Sequence, residues 1–231
     1  RDQVETGQDI ITSGKEFSEN YVHYNGDGSY RIVEQDLYGS SGTDTLTFVD
    51  TASTDARVMQ GESRDLVISL ANGETVTVQD HFWEHYDNSV ERIAFSDGVV
   101  LDGYQAIRDR SVRDQVETGQ DIITSGKEFS ENYVHYNGDG SYRIVEQDLY
   151  GNSGTDTLTF VDTASTEATF SQGASHDLVI SVDGGDIVTI DSYFTGDRDH
   201  AIEEIIFSDG VSRFVNDVFG AAIVDGELMF G

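Results

Sequence analysis

Short alternations of apolar and polar residues, bounded by turn residues, recur along the chain: Tyr30 to Glu34, Thr45 to Val49, Asp65 to Leu70, Glu74 to Val78 and Val90 to Phe95. A period of two predicts strands with one buried face. In DLVISLANGETVTV the alternation runs on both sides of Asn72-Gly73, which is a hairpin signal. Turns at Asn25-Gly26-Asp27-Gly28 and Ser96-Asp97-Gly98 place Gly where a positive φ is needed. The pattern predicts an all-β protein with no helix longer than two turns, Tyr104 to Arg108 forming at most one turn.

Arg1 to Gly39 recurs unchanged as Arg113 to Gly151, and the first 56 aligned positions differ only at Ser40/Asn152 and Asp55/Glu167. Such self-similarity predicts two tandem modules, residues 1–112 and 113–231, the second with a C-terminal tail. The join, LDGYQAIRDRSV, has neither Pro nor a Gly/Ser tract, so the modules are expected to abut. Because the turns recur as short rungs, the expected fold is an elongated parallel β-solenoid, like a β-roll. Two antiparallel β-sandwiches are the alternative, and Asn72-Gly73 favours them.

Charge changes the picture. The 231 residues carry 44 Asp plus Glu against 13 Lys plus Arg, a net −31, which opposes compaction unless a cation neutralises it. The same sign excludes nucleic acid, which needs clustered cations; the lysines are Lys15 and Lys127. No apolar run is long enough to enter a membrane, and there is no Cys. The acidic Gly turns suggest the cation's ligands. Gly39 to Thr47 fits the calcium nonapeptide GGxGxDxUx except at Ser40. Candidate Ca²⁺ ligands are Asp9, Asn25, Asp27 and Asp44, with Asp121, Asn137, Asp139 and Asp156 in the second copy. The alternative is that these are ordinary Asp-Gly turns that bind nothing.

The two-module layout resembles the rhizobial adhering (Rap) proteins, a resemblance that implies lectin-like recognition, and a glycan site needs aromatic rings beside short polar and charged groups. The repeated segment offers Tyr21, His23, Tyr24, Tyr30, Arg31 and Tyr38, and in the second copy Tyr133, His135, Tyr136, Tyr142, Arg143 and Tyr150. Alternation places Tyr21 with His23 and Tyr30 with Ile32, and packing is the competing role for each ring. Arg31 and Arg143 suit uronate carboxylates, the alternative being an ion pair with Glu34 or Asp36. In the cluster from His81 to Tyr86 only Phe82 survives in the second copy, as Phe194, and it is expected in the core.

The stretches YVHYNGDGSYRI, GTDTLTF, DLVIS, ETVTVQDHF and VERIAFSDG resemble the haemolysin-type calcium-binding related region of repeats-in-toxin proteins. The rhizobial adhering proteins, which the two-module layout resembles, have modules called cadherin-like. These resemblances imply export by a type I system to the cell surface and biofilm matrix, calcium binding, and lectin-like recognition of an acidic exopolysaccharide or capsular polysaccharide by a monomer. Neither a Ser/His/Asp order nor an HExxH run appears, so the chain is expected to be non-catalytic. A polysaccharide lyase or hydrolase, and a purely structural calcium-stabilised spacer, are the competing functions.

Overall fold

The computed structural model describes residues 10–12, 18–34, 42–61, 64–82, 89–124, 130–146, 155–195, 202–214, 222–224 and 227–229. The chain divides into two compact units, Arg1–Asp114 and Gln115–Gly231.

In the first unit the strands are β1 (Ile10–Thr12), β2 (Asn20–His23), β3 (Tyr30–Val33), β4 (Thr45–Phe48), β5 (Ala56–Gln60), β6 (Leu66–Leu70), β7 (Thr75–Val78), β8 (Arg92–Ala94) and β9 (Val100–Asp102). They form two sheets, ordered β1-β3-β7-β6-β5 and β2-β4-β8-β9. Pairing is parallel in β1/β3/β7 and in β2/β4/β8, and antiparallel in β5/β6/β7 and β8/β9. A parallel pair needs a crossover, and each of these passes through at least one strand of the opposite sheet. The Asn72-Gly73 turn joins β6 to β7, with Gly73 at φ 90°. Parallel ladder and hairpin therefore belong to one sheet, unlike the all-antiparallel pairing of a sandwich.

Alternation directs Tyr21, His23, Tyr30, Ile32, Leu46, Phe48, Ile68, Val76 and Ile93 into one core between the two sheets. Phe48 stacks on Phe95 at 5.4 Å and meets the His23 ring edge-on at 5.3 Å.

The second unit repeats the plan with β10 (Ile122–Thr124), β11 (Asn132–His135), β12 (Tyr142–Val145), β13 (Thr157–Phe160), β14 (Ala168–Gln172), β15 (Leu178–Val182), β16 (Ile187–Ile190), β17 (Glu204–Ile206), β18 (Ser212–Phe214), β19 (Ala222–Val224) and β20 (Glu227–Met229). Its sheets are β10-β12-β16-β15-β14-β20-β19 and β11-β13-β17-β18.

Helix α1 (Tyr104–Glu117) corrects the expectation of no long helix: it has 14 residues, about four turns. Its buried positions include Ile107, Arg108, Ser111, Val112, Gln115 and Val116, which follow a helical spacing, but half of them are polar, so the hydrophobic pattern hides it. Gly119, at φ 70°, ends it in the left-handed conformation that favours Gly. Within the first unit, α1 covers the outer edge of β5: the Asp114 carboxylate accepts the Val58 N–H at 2.6 Å and the Arg110 guanidinium donates to the carbonyls of Ser53 and Ala56. In the second unit the corresponding edge, that of β14, pairs with β20 instead. No helix among the described residues is long and apolar enough to cross a membrane.

His81, buried beside β7, meets Phe82 edge-on and stacks on Tyr104 at 5.4 Å. Burial and the Arg108 charge push its pKa from 6.5 down to about 3. Below pH 6.5 the unfolded chain takes up a proton that the folded chain refuses, so this site's contribution is fully present above 6.5 and declines as pH falls towards 3. Tyr193 stands at the equivalent place in the second unit and is also buried. His81→Tyr is expected to flatten the fall in urea-unfolding stability between pH 6.5 and 3, by up to about 1.4 kcal/mol per pH unit. Leu46→Ala, at a fully buried position of β4, is expected to cost about 2–5 kcal/mol in the same measurement.

Candidate metal centre

In the sheet containing β2, β4 and β8, an acidic residue stands immediately before each of these parallel strands: Glu19, Asp44 and Glu91. Backbone and side chains interlock along this column. The Asp44 carboxylate accepts the Glu19 N–H at 2.7 Å, and the Glu91 carboxylate accepts the Asp44 N–H at 2.6 Å. The ladder bonds Thr45 N–H to the Glu19 carbonyl and Arg92 N–H to the Asp44 carbonyl hold the rungs in register. Glu34, just past β3, reaches the column from the opposite sheet and accepts the Tyr21 hydroxyl. Glu19, Glu34 and Asp44 thus bring one carboxylate oxygen each within 4.8 Å of one another, Glu34 and Asp44 being buried and Glu19 half-buried.

The second unit builds the same cluster from Glu131, Glu146 and Asp156, all three buried. Asp156 accepts the Glu131 N–H at 2.7 Å, Glu203 accepts the Asp156 N–H at 2.7 Å, and Tyr133 donates to Glu146 at 2.7 Å. Burial, reinforced by the hydrogen bond to Glu34 and the charges of Glu34, Asp44 and Glu19, holds the Tyr21 phenol far above its ordinary pKa, so it remains a donor. Burial also raises the pKa of Glu91.

Three like charges this close require neutralisation. Two oxygens bound to one Ca²⁺ ion, each at about 2.4 Å from it, lie at most about 4.8 Å apart, and the oxygens of these clusters are no farther apart than that. The donors are all hard oxygens, which fits Ca²⁺ or Mg²⁺ rather than a softer metal. Three carboxylates leave further positions of a calcium shell to carbonyls or water.

Of the sequence-predicted ligands, Asp44 and Asp156 lie in the clusters, and Asp9 falls outside the described residues. Asn25 and Asp27 lie past the other end of β2, in a turn closed by the chain's own bonds. Asp27 accepts the Tyr24 N–H, Asn25 accepts from Thr51 and Asn72, and Glu74 takes the N–H groups of Gly26 and Gly28. Asn137 and Asp139 repeat this turn, Asp139 accepting the Tyr136 N–H and Asn137 accepting from Thr163. Asp121 is exposed, its carbonyl accepting the Arg143 N–H. Sequence reasoning missed Glu19, Glu34, Glu131 and Glu146 because they lie outside the Gly-rich turns. The available signal was an acidic residue directly flanking a β-type run inside the exact repeat.

The structure buries six of the residues expected at a glycan site. Tyr21, His23, Tyr30, Tyr133, His135 and Tyr142 are buried, because the face that alternation assigns them is the core face. His23 packs against Tyr30 and Phe48, and His135 against Tyr142 and Phe160. Tyr24 is half-buried and Tyr136 exposed, while Tyr38 and Tyr150 lie outside the described residues. Arg31 pairs with Asp65 at 2.8 Å, and Arg143 with Asp177 and Asp191 at 2.9 and 2.6 Å. Arg31 lies in one sheet, and Tyr24 opens the turn that follows a strand of the other. Phe82 is buried as expected, whereas Phe194 is half-buried.

Comparison with known proteins bears on the same regions. Residues 65–105 and 177–212 match the haemolysin-type calcium binding protein related domain, one segment in each unit. Both contain the DLVI run and the FSDG turn on which the haemolysin-type resemblance rests. A search of curated proteins gives no match. Among solved structures, the extracellular lipase LipA from Serratia marcescens aligns at 13% identity with 88% of the chain, with a TM-score of 0.22; the aligned part spans 38% of the lipase. A likeness that weak carries no argument.

Glu34→Gln keeps an acceptor for Tyr21 while removing one charge from the cluster. It is expected to raise the melting temperature in EDTA and to shrink the further rise on adding calcium, both read by thermal circular dichroism.

Proposed function

We propose that each unit is a calcium-binding, non-catalytic module, wound as a β-roll, and that the chain is an extracellular protein recognising a bacterial matrix polysaccharide. The observation that carries the calcium reading is the three-carboxylate cluster at equivalent positions of both units, in a chain with two segments matching a calcium binding protein related domain. Glu19, Glu34 and Asp44, and Glu131, Glu146 and Asp156, would hold the ion. Calcium supplies the positive charge that lets the strand ends of two sheets meet. Tyr21 and Tyr133 orient one ligand of each cluster, and Glu91 and Glu203 fix the backbone of another.

The glycan reading rests on the resemblance of the two-module layout to the rhizobial adhering proteins, which implies lectin-like recognition, and it suits the strongly acidic composition of a protein kept soluble outside the cell. Export by a type I route to the cell surface and biofilm matrix belongs to the same reading. The ligand is an acidic exopolysaccharide or capsular polysaccharide, and the chain acts as a monomer.

Calorimetry of purified acidic polysaccharides, with calcium and then with EDTA, tests this alongside circular dichroism. Saturable heat in calcium is the expected result. A calcium-induced stabilisation without polysaccharide heat would reduce the chain to a structural spacer. Release of reducing ends or unsaturated sugars would make it an enzyme, and the absence of any calcium response would overturn the proposal.

A further inference from the structure

The outward face of the sheet β1-β3-β7-β6-β5 contrasts with the acidic composition of the chain. Its outward positions form rows across the hydrogen-bonded strands, and the central row is Ile10, Arg31, Thr77, Val67 and Met59. In the second unit the same row is Ile122, Arg143, Thr189, Val179 and Ser171. About one residue in five of the chain is Asp or Glu, yet none of the ten outward positions of these five strands is acidic in either unit. The remaining outward positions are Thr, Ser, Val, one Ile and one Arg.

Two features of this face point to a ligand. Ile10 and Ile122 are 56% and 52% exposed, each directly across the ladder from an arginine. A large aliphatic group held in water beside a guanidinium, and repeated in both units, is what a sugar ring with an apolar C–H face and a carboxylate would cover. The arginines are also oriented: Arg31 and Arg143 remain 41% and 37% exposed, and their anchoring bonds to Asp65, Asp177 and Asp191 all use Nη1. Among the described residues this leaves the planar Nε–Nη2 edge for a bidentate carboxylate. The Thr and Ser hydroxyls lie on β-strands about 4.8 Å apart, and their short side chains lose little entropy when covered.

We propose that in each unit this sheet face, whose outward strand positions carry no acid, is a surface for a uronate-bearing polysaccharide, Arg31 or Arg143 taking a carboxylate and Ile10 or Ile122 a C–H face. The assignment rests on the polysaccharide-binding reading above, and it gives an acidic polymer a place where the protein's own carboxylates are fewest among the strand positions described. The anionic chain would meet strand positions that carry no carboxylate, the aspartates beside the arginines being paired with them, and charges farther away than about 8 Å are screened at physiological salt.

The test uses the full chain, with polygalacturonate as probe and dextran and poly-glutamate as controls. Binding is measured by calorimetry in calcium and in EDTA, and calcium binding is titrated separately without polymer. Thr77→Asp with Thr189→Asp adds a further, outward-facing carboxylate across the ladder from each arginine and is expected to weaken polygalacturonate binding by at least about tenfold. Thr77→Lys with Thr189→Lys is expected to strengthen it, an outcome that a misfolded variant cannot produce. No binding of polygalacturonate, equal binding of dextran or poly-glutamate, or indifference to both substitution pairs would overturn the proposal. Calcium titration separates the two readings. Intact calcium binding without polymer binding defeats the face alone, whereas charge-sensitive polymer binding without calcium binding leaves the face standing and defeats the metal centre.

Discussion

Repulsion among carboxylates placed at the heads of adjacent parallel strands is the constraint around which each unit is arranged. Parallel strands in register stack equivalent positions one above another, so an acidic residue placed before each strand produces a column of like charges at the strand spacing. The column Glu19, Asp44, Glu91 is tied to the backbone N–H groups of neighbouring rungs, which absorbs part of each charge. Glu34 adds a further carboxylate from the opposite sheet and makes the cluster a junction between the two layers. A divalent cation held there would turn the repulsion at that junction into a clamp between the layers.

The strands were readable because a period of two survives in a short sequence. Expected runs such as Thr45 to Val49 and Glu74 to Val78 coincide with Thr45–Phe48 and Thr75–Val78, and the Asn72-Gly73 hairpin is where the sequence places it. Alternation states which residues share a face but not which face is the core. Tyr21 and His23 do point together, yet into the core, where the tyrosine hydroxyl meets Glu34 and the imidazole lies among rings. An aromatic with a polar end looks like a surface residue until its buried partner is known. Glu34 and Glu19 were illegible for the converse reason: a Glu beside a strand is ordinarily solvated, and only the winding of the chain brings three such groups together.

The two units show which parts of the plan tolerate change. The metal-centre residues, the Tyr–Glu bonds and the His–Phe packing are common to both. The edge of the hairpin sheet is covered by α1 in one unit and paired with β20 in the other. An edge needs only some partner for its backbone groups, and a helix side chain or a strand serves. The cluster needs particular atoms at particular distances.

The unbroken identity of Arg1 to Gly39 with Arg113 to Gly151 has a consequence for how the chain reaches its native state. Strands β1, β2 and β3 carry the same information as β10, β11 and β12, so a nascent core in either half accepts the opening strands of either copy equally well. Sequence identity between neighbours is the condition under which tandem domains exchange elements and become trapped. The later strands, together with the differing edge covers, are then the address labels by which each half recovers its own beginning. Their divergence serves correct assembly even where it does nothing for the folded site.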